Sequence, residues 1–184
     1  MKKIGLIIVA SLALMACDKI EKPLKDGYGF IDLPQGNKTV LIEEFTGTSC
    51  TFCPNGARKI AGYLDAAPDN VVTVALHASS LAFGRPYDFR TTEADNLWKF
   101  MGSGGLPGGM FDRVGYPDKV FKNPADWDKV LQERLALPAE FSITADFEYD
   151  SASNTFTLRA NVLALADIST DAINLTAYLV EDSI

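Results

Sequence analysis

The spacing of hydrophobic positions changes several times along this chain, and each change marks a different kind of element. Residues 39–45 and 71–77 are nearly continuous runs of β-branched and apolar residues, which are typical of strands buried inside a sheet. Elsewhere apolar residues recur every three or four positions, as in helices that pack one face on a core. These helical stripes are Ala57, Ile60, Ala61 and Leu64; Ala94, Leu97, Trp98 and Met101; and Trp127, Val130, Leu131 and Leu135. Alternating strands and helices predict an α/β domain, which we bound at residues 37–138.

In the last third of the chain, the pattern of apolar and polar residues repeats every two positions. Apolar and polar residues alternate over residues 141–149, over 156–164 and over 173–179. This period predicts three β-strands, each with one apolar face, and a turn rich in Asp, Ser and Asn separates the first two. We therefore expect a second, all-β and sandwich-like domain at residues 139–184. An open apolar edge is a liability for a sheet, so we expect this domain to be incomplete and completed by further strands.

Capping residues predict where two of the helices begin. Asn123 is a typical N-cap, and Pro124 behind it suits the first helical position, where no N–H is needed. The segment Thr92-Glu93-Ala94-Asp95 matches a capping box, which places the N-cap of the second helix at Thr92.

The N-terminus has the pattern of a secretory signal. The positive segment Met1–Lys3 precedes an uncharged apolar run, residues 4–15, that is too short to span a bilayer comfortably. The pattern predicts a signal peptide at residues 1–16. The run ends in Leu14-Met15-Ala16-Cys17, which resembles a bacterial lipobox; in that motif the cysteine becomes the first residue and carries a diacylglyceryl group. The alternative is an ordinary signal peptide followed by an incidental cysteine.

Composition narrows the class of protein. The 184 residues include 17 Lys+Arg against 24 Asp+Glu, a net charge of −7, which argues against nucleic acid as a partner. A single His leaves no room for a multi-His metal site, and we expect neither a metal nor another cofactor.

Residues 17–36 are polar with several Pro and Gly, and we expect them to form a lipidated tether.

Two cysteines stand between the first strand and the first helix, in the segment Cys50-Thr51-Phe52-Cys53-Pro54. At a helix N-terminus, free N–H groups and the helix dipole stabilise an anion and lower the pKa of a thiol. A thiolate is the attacking species in disulfide exchange, so the position favours a redox pair. Two alternatives stay open: half of a zinc site, although no second CxxC or His pair is present, and a disulfide that is only structural.

This arrangement resembles a thioredoxin-like domain. That family carries an acidic residue six positions before its first cysteine, as Glu44 stands before Cys50, and a cis-proline just before a strand, as at Leu106-Pro107. Ser49 stands where the family has a tryptophan. The resemblance implies that Cys50 attacks, Cys53 resolves the mixed disulfide, Glu44 assists proton transfer beneath the pair, and Pro107 holds a peptide substrate.

Two further residues are candidate substrate contacts. Phe52 stands between the two cysteines, and His77 ends the second predicted strand, where it could approach a substrate or shuttle a proton. For His77 the plainer interpretation, a polar residue at a strand end, stays open.

A closer resemblance is to the twenty-eight-kilodalton outer-membrane-protein family of Bacteroidetes, lipoproteins with a thioredoxin-like CxxC domain followed by a β-rich domain. It covers most of residues 17–184. The matching segments are Leu41-Ile42-Glu43-Glu44-Phe45-Thr46-Gly47, Cys50-Thr51-Phe52-Cys53-Pro54, His77, Gly105-Leu106-Pro107 and Phe111-Asp112-Arg113.

The resemblance implies a protein that is held to the cell outer membrane by lipid on Cys17. It does not decide between the periplasmic side and the cell surface. Its activity would be thiol–disulfide oxidoreduction on protein thiols or disulfides, and whether it is an enzyme stays open. The alternative is a non-enzymatic adhesion or scaffold protein in which the Cys50–Cys53 disulfide is static.

Overall fold

The computed structural model describes residues 38–82, 88–169 and 173–181. The expected signal peptide at residues 1–16, the lipidated Cys17 and the tether at residues 17–36 lie outside the described residues.

The chain forms an α/β fold with two separate sheets. A three-stranded mixed sheet has the order β2-β1-β3, in which β1 runs parallel to β2 and antiparallel to β3. A two-stranded antiparallel sheet, β4-β5, follows it in the sequence. The elements in chain order are β1 (Val40–Thr46), α1 (Cys53–Ala66), β2 (Val71–His77), a short 3₁₀ turn (Ser80–Ala82), α2 (Thr92–Phe100), β3 (Gly108–Phe111), α3 (Trp127–Leu135), β4 (Phe141–Asp150) and β5 (Thr155–Ala164).

Strand β1 is central, and each of its faces has its own hydrophobic cluster because successive side chains of a strand point to opposite sides. Val40 and Ile42 pack with residues from α1 and α3, which include Ile60, Tyr63, Trp127, Leu131 and Leu135. Phe45 packs on the other side with a second set, which includes Val74, Leu76, Ala94, Met101, Met110 and Val120. Burial on both faces explains why residues 39–45 read as a continuous apolar run.

The buried face of α1 differs from the predicted stripe. Cys53, Gly56, Ile60 and Tyr63 are buried, whereas Ala57 and Leu64 are exposed. Tyr63 enters the core because its hydroxyl group donates a hydrogen bond to Asp128 Oδ1, which satisfies its one polar atom. The stripes predicted for α2 and α3 are confirmed, since their residues are buried or half-buried.

Both predicted helix starts are displaced. The N-cap of α2 is Thr91, whose Oγ1 accepts from the Ala94 N–H at 3.0 Å. Helix α3 begins at Trp127, because Asn123 opens a turn in which its carbonyl accepts from the Asp126 N–H at 2.9 Å.

Strands β4 and β5 confirm the first two predicted strands of the C-terminal third. Their register places Ile143 opposite Val162 and Phe147 opposite Leu158, so the apolar residues of both strands share one face. That face is open among the described residues: Phe147 is 68% exposed and Ile143 58%.

The prediction of a third strand at residues 173–179 is wrong. Residues 173–181 carry no strand, so the described part of the chain contains a two-stranded sheet where a sandwich was expected. The segment is instead held through Tyr178, which packs against the cluster around Phe45. An alternating pattern does not distinguish a strand from an extended segment that is fixed by one side chain.

Candidate functional site

Cys50 and Cys53 form a disulfide at the start of α1, with their Cα atoms 5.4 Å apart. The turn that brings them together is closed by two backbone bonds, from the Cys50 N–H to the Gly47 carbonyl at 3.1 Å and from the Cys53 N–H to the Cys50 carbonyl at 3.3 Å. Pro54 occupies the first turn of the helix, as predicted. Cys50 is 6% exposed and Cys53 3%, so Cys50 is the more accessible cysteine by a small margin.

The rim of the disulfide carries exposed apolar side chains. Phe52, between the two cysteines, is 69% exposed, as a substrate contact would require. The Ser49 N–H donates to the Leu81 carbonyl at 2.9 Å, which places the 3₁₀ turn beside the first cysteine. Leu81 is itself 45% exposed. The rim can therefore contact an apolar peptide next to the reacting sulfur atoms.

Glu44 is buried on the face of β1 that α1 and α3 cover, with only 4% of its surface exposed. A methyl carbon built on Gly56 would lie 2.8 Å from Glu44 Oε1, so the carboxyl group touches α1 three residues after Cys53. Among the described residues this oxygen has no hydrogen-bond partner. Burial raises the pKa of Glu44 from its ordinary 4.5 to about 7, because a charged carboxylate is disfavoured away from water. Glu44 can therefore exchange a proton near neutral pH.

Pro107 reaches the same point from the neighbouring strand β3, at the same end of the sheet. The Leu106–Pro107 bond is cis, as the resemblance implied, and it leads directly into β3. The antiparallel register places Gly108 beside Phe45 of β1. The methyl carbon built on Gly56 would lie 3.0 Å from Pro107 Cβ, so the proline packs on α1 next to the Glu44 carboxyl group.

His77 ends β2 beside Thr46, at the edge of the sheet from which the cysteine segment departs. Its ring lies 5.3 Å from the ring of Phe89, centroid to centroid. Burial lowers the pKa of His77, although the nearby Asp88 carboxylate opposes this effect. What the structure provides at His77 is an edge-on ring contact together with a buried Nδ1 that has no partner among the described residues.

A second buried carboxyl group was not found from the sequence. Glu43 is fully buried and accepts two bonds from Arg113, from Nε at 2.9 Å and from Nη2 at 2.7 Å. Tyr178 completes the group: its hydroxyl donates to Glu43 Oε1 and accepts from Arg113 Nη2 at 2.8 Å. These bonds raise the pKa of Arg113 above its already high value, and burial with the Glu43 bond raises the pKa of Tyr178 to about 12.

The turn after β3 aims Arg113 at Glu43. Asp112 and Arg113 have φ of 45° and 51°, in the left-handed region that non-glycine residues seldom adopt. Asp112 fixes this turn, because its carboxylate accepts from the Leu41 N–H at 3.0 Å and from Arg134 Nε at 2.9 Å. One indication of the buried Glu43 was visible in the sequence, namely that Glu43 and Glu44 stand together inside an otherwise apolar strand.

Two negative findings apply to the described residues only. Within residues 38–82, 88–169 and 173–181, no group of three or more His, Cys, Asp or Glu side chains could hold a metal ion. In the same residues, no helix has the length and apolar character needed to cross a membrane.

Comparisons with protein-family models, with curated proteins and with solved structures gave no match to this chain.

Proposed function

We propose that residues 37–138 form a thioredoxin-like domain that exchanges disulfides with protein thiols. The observation that carries the proposal is the convergence of Glu44 and Pro107 on α1 one turn after the cysteine pair. The sheet order β2-β1-β3 also supports it, since the cysteine segment leaves the central strand and enters a helix.

In the reducing direction, the Cys50 thiolate attacks one sulfur of a substrate disulfide. A bond forms between the two sulfur atoms, and the other substrate sulfur leaves as a thiolate. Cys53 then loses its proton to the Glu44 carboxylate and attacks Cys50 Sγ. The bond from Cys50 Sγ to the substrate breaks, and the second substrate sulfur leaves as a thiolate. The substrate disulfide is thereby reduced and the Cys50–Cys53 pair oxidised. The oxidising direction is the reverse sequence, and the reduction potential of the pair relative to its compartment selects between them.

We propose further that the chain is a lipoprotein of the bacterial outer membrane, anchored by lipid on Cys17. The support is the positive and apolar N-terminal pattern that ends in Leu14-Met15-Ala16-Cys17, together with the segments shared with the twenty-eight-kilodalton family. A lipid anchor of this kind would hold the redox site close to a membrane surface.

A second candidate function is a surface adhesion or scaffold protein in which the disulfide is static. The low exposure of both cysteines, 6% and 3%, favours it, because a buried disulfide is shielded from attacking thiolates.

One experiment separates the two candidates. The reduction potential of the Cys50–Cys53 pair is measured together with turnover of a disulfide-bonded protein substrate, with Cys50→Ser as the control. Turnover that is lost in Cys50→Ser supports the oxidoreductase. Absence of turnover, with a potential below about −300 mV, supports the static disulfide.

A further inference from the structure

Gly56 lies inside α1 and is buried, although glycine weakens a helix interior relative to alanine. A methyl carbon at this position would lie 2.8 Å from Glu44 Oε1, 3.0 Å from Pro107 Cβ and 3.1 Å from Trp127 Cη2. Groups from β1, from α3 and from the residue before β3 therefore touch the helix at a position that carries no side chain. Only a glycine at position 56 leaves room for all three.

We propose that Gly56 is a positioning residue: its missing side chain lets the Glu44 carboxyl group and Pro107 lie together against α1 beside the cysteine pair. This inference rests on the proposed function, since Gly56 acts on disulfide exchange through Glu44 and touches no substrate itself. Trp127 and Pro107 are rigid groups held in the core. The Glu44 carboxyl group ends a flexible side chain, so a methyl group on Gly56 displaces Glu44 first.

The helix supplies a matched control in Gly62. A methyl carbon built on Gly62 meets no atom within 4 Å. Gly62→Ala and Gly56→Ala make the same change in helix propensity, and only the second reaches the site.

The pKa of the Glu44 carboxyl group depends on how deeply the group is buried, so a titration measures its position. On the elements packed around it, α1 carries Lys59 and Tyr63 and α3 carries Asp128. Lys59 and Tyr63 each donate a hydrogen bond to the Asp128 carboxylate. The strands beside it present Ala75 and Gly109. Burial is what raises the pKa of Glu44, so displacement toward water lowers it.

The test is a ¹³C NMR titration of the Glu44 carboxyl group in the oxidised full chain, for wild type, Gly56→Ala and Gly62→Ala. We expect wild type and Gly62→Ala to titrate at the same pH, and Gly56→Ala to titrate lower by about one pH unit or more. An unchanged titration in Gly56→Ala, or an equal shift in Gly62→Ala, overturns the proposal. This measurement decides the placement of Glu44 even where the chain shows no turnover, in which case the proposed function fails and the positioning of the carboxyl group stands.

Two further measurements complete the test. Where the chain does turn over substrate, the acidic limb of its pH–rate profile moves down with Gly56→Ala and stays in place with Gly62→Ala. Where Gly56→Ala fails to fold, Glu44→Asp is added, because its side chain is one methylene shorter and makes room for the methyl group. Recovery of folding in the double variant supports the proposal, and no recovery overturns it.

Discussion

Glu43 and Glu44 are neighbours in β1, yet their carboxyl groups lie on opposite faces of the sheet in opposite environments. Glu43 receives two hydrogen bonds from Arg113. The Glu44 oxygen that contacts α1 has no partner among the described residues, and its pKa is raised to about 7. One face of the strand thus carries a structural ion pair, and the other carries a carboxyl group that can take up and release a proton.

The first prediction concerns the stability cost of an ionised Glu44. The folded state keeps this proton up to about pH 7, whereas the unfolded chain loses it near 4.5. The folded state therefore binds more protons between these values, and stability falls as pH rises through the window. Glu44→Gln cannot ionise, so we expect it to be more stable than wild type at pH 8 by about 3 kcal/mol and similar at pH 4.

Urea unfolding of the oxidised protein at both pH values checks this expectation. Glu148→Gln is the control, because Glu148 is exposed in its pair with Arg159 and its removal changes little. A Glu44→Gln variant that is less stable than wild type at pH 8 would show that the carboxylate is solvated or paired.

The second prediction concerns the partner of Glu43. Arg113→Ala leaves a fully buried carboxylate without its guanidinium, and we expect a loss of about 3–5 kcal/mol in the free energy of unfolding. Arg159→Ala, which breaks an exposed pair, should cost less than about 1 kcal/mol. Equal losses in the two variants in urea unfolding would contradict the structural role assigned to Arg113.

The third prediction concerns Tyr178. Tyr178→Phe keeps the ring but removes the hydroxyl group that bonds Glu43 and Arg113, and we expect a loss of about 1.5–3 kcal/mol. Proteolytic cleavage within residues 173–181 should also become faster, since this segment carries no strand bonds of its own. Unchanged cleavage would mean that other contacts hold the segment.

The fourth prediction concerns the open face of the β4–β5 sheet. Phe147 is 68% exposed and stacks on Phe156 with ring centroids 5.7 Å apart. We expect Phe147→Ser to reduce binding of a hydrophobic dye and to change the free energy of unfolding by less than about 1 kcal/mol. Phe45→Ala, at a fully buried position, should cost about 3–5 kcal/mol in the same assay. A large loss for Phe147→Ser would show that this face is covered.

The fifth prediction tests the proposed anchor. Cys17→Ala removes the thiol that would carry lipid, so we expect the protein to move from the membrane fraction to the soluble fraction. Cys50→Ser keeps the lipobox and should stay with the membrane. The measurement is cell fractionation with detection of both variants, and a membrane-bound Cys17→Ala would defeat the lipid proposal.

The α/β arrangement was predictable from the sequence because β1 is buried on both faces, which leaves a nearly continuous apolar run. Strand β2 carries a similar run, although Val72 is 51% exposed. The buried face of α1 was not predictable in the same way, because one of its buried positions is Gly56, which has no side chain to contribute to an apolar stripe. The prediction of a third C-terminal strand was wrong for a related reason. The predicted apolar face consisted of odd-numbered residues such as Ile173 and Leu175, whereas Tyr178 is at an even position. The hydrogen bond from its hydroxyl group to Glu43 is what fixes the segment.

The site was predictable where spacing carries information. Cys50 stands six positions after Glu44, and the structure brings Glu44 and Pro107 together on Gly56. Gly56 itself was not predictable, since its importance lies in atoms that come from other elements. Arg113 likewise gains its role from a left-handed turn that the sequence pattern does not reveal.

The bond between Tyr178 and Glu43 joins residues 135 positions apart, and Arg113 lies 70 positions from Glu43. Strand β1 leaves the ribosome or an export channel long before either partner does. Until both have emerged, Glu43 lacks the partners that it has in the folded state. Burial of its carboxylate is unfavourable without them, so the central strand stays solvated. Completion of the sheet is thus coupled to late synthesis of the chain, and folding should be slow, as it is for domains rich in distant contacts.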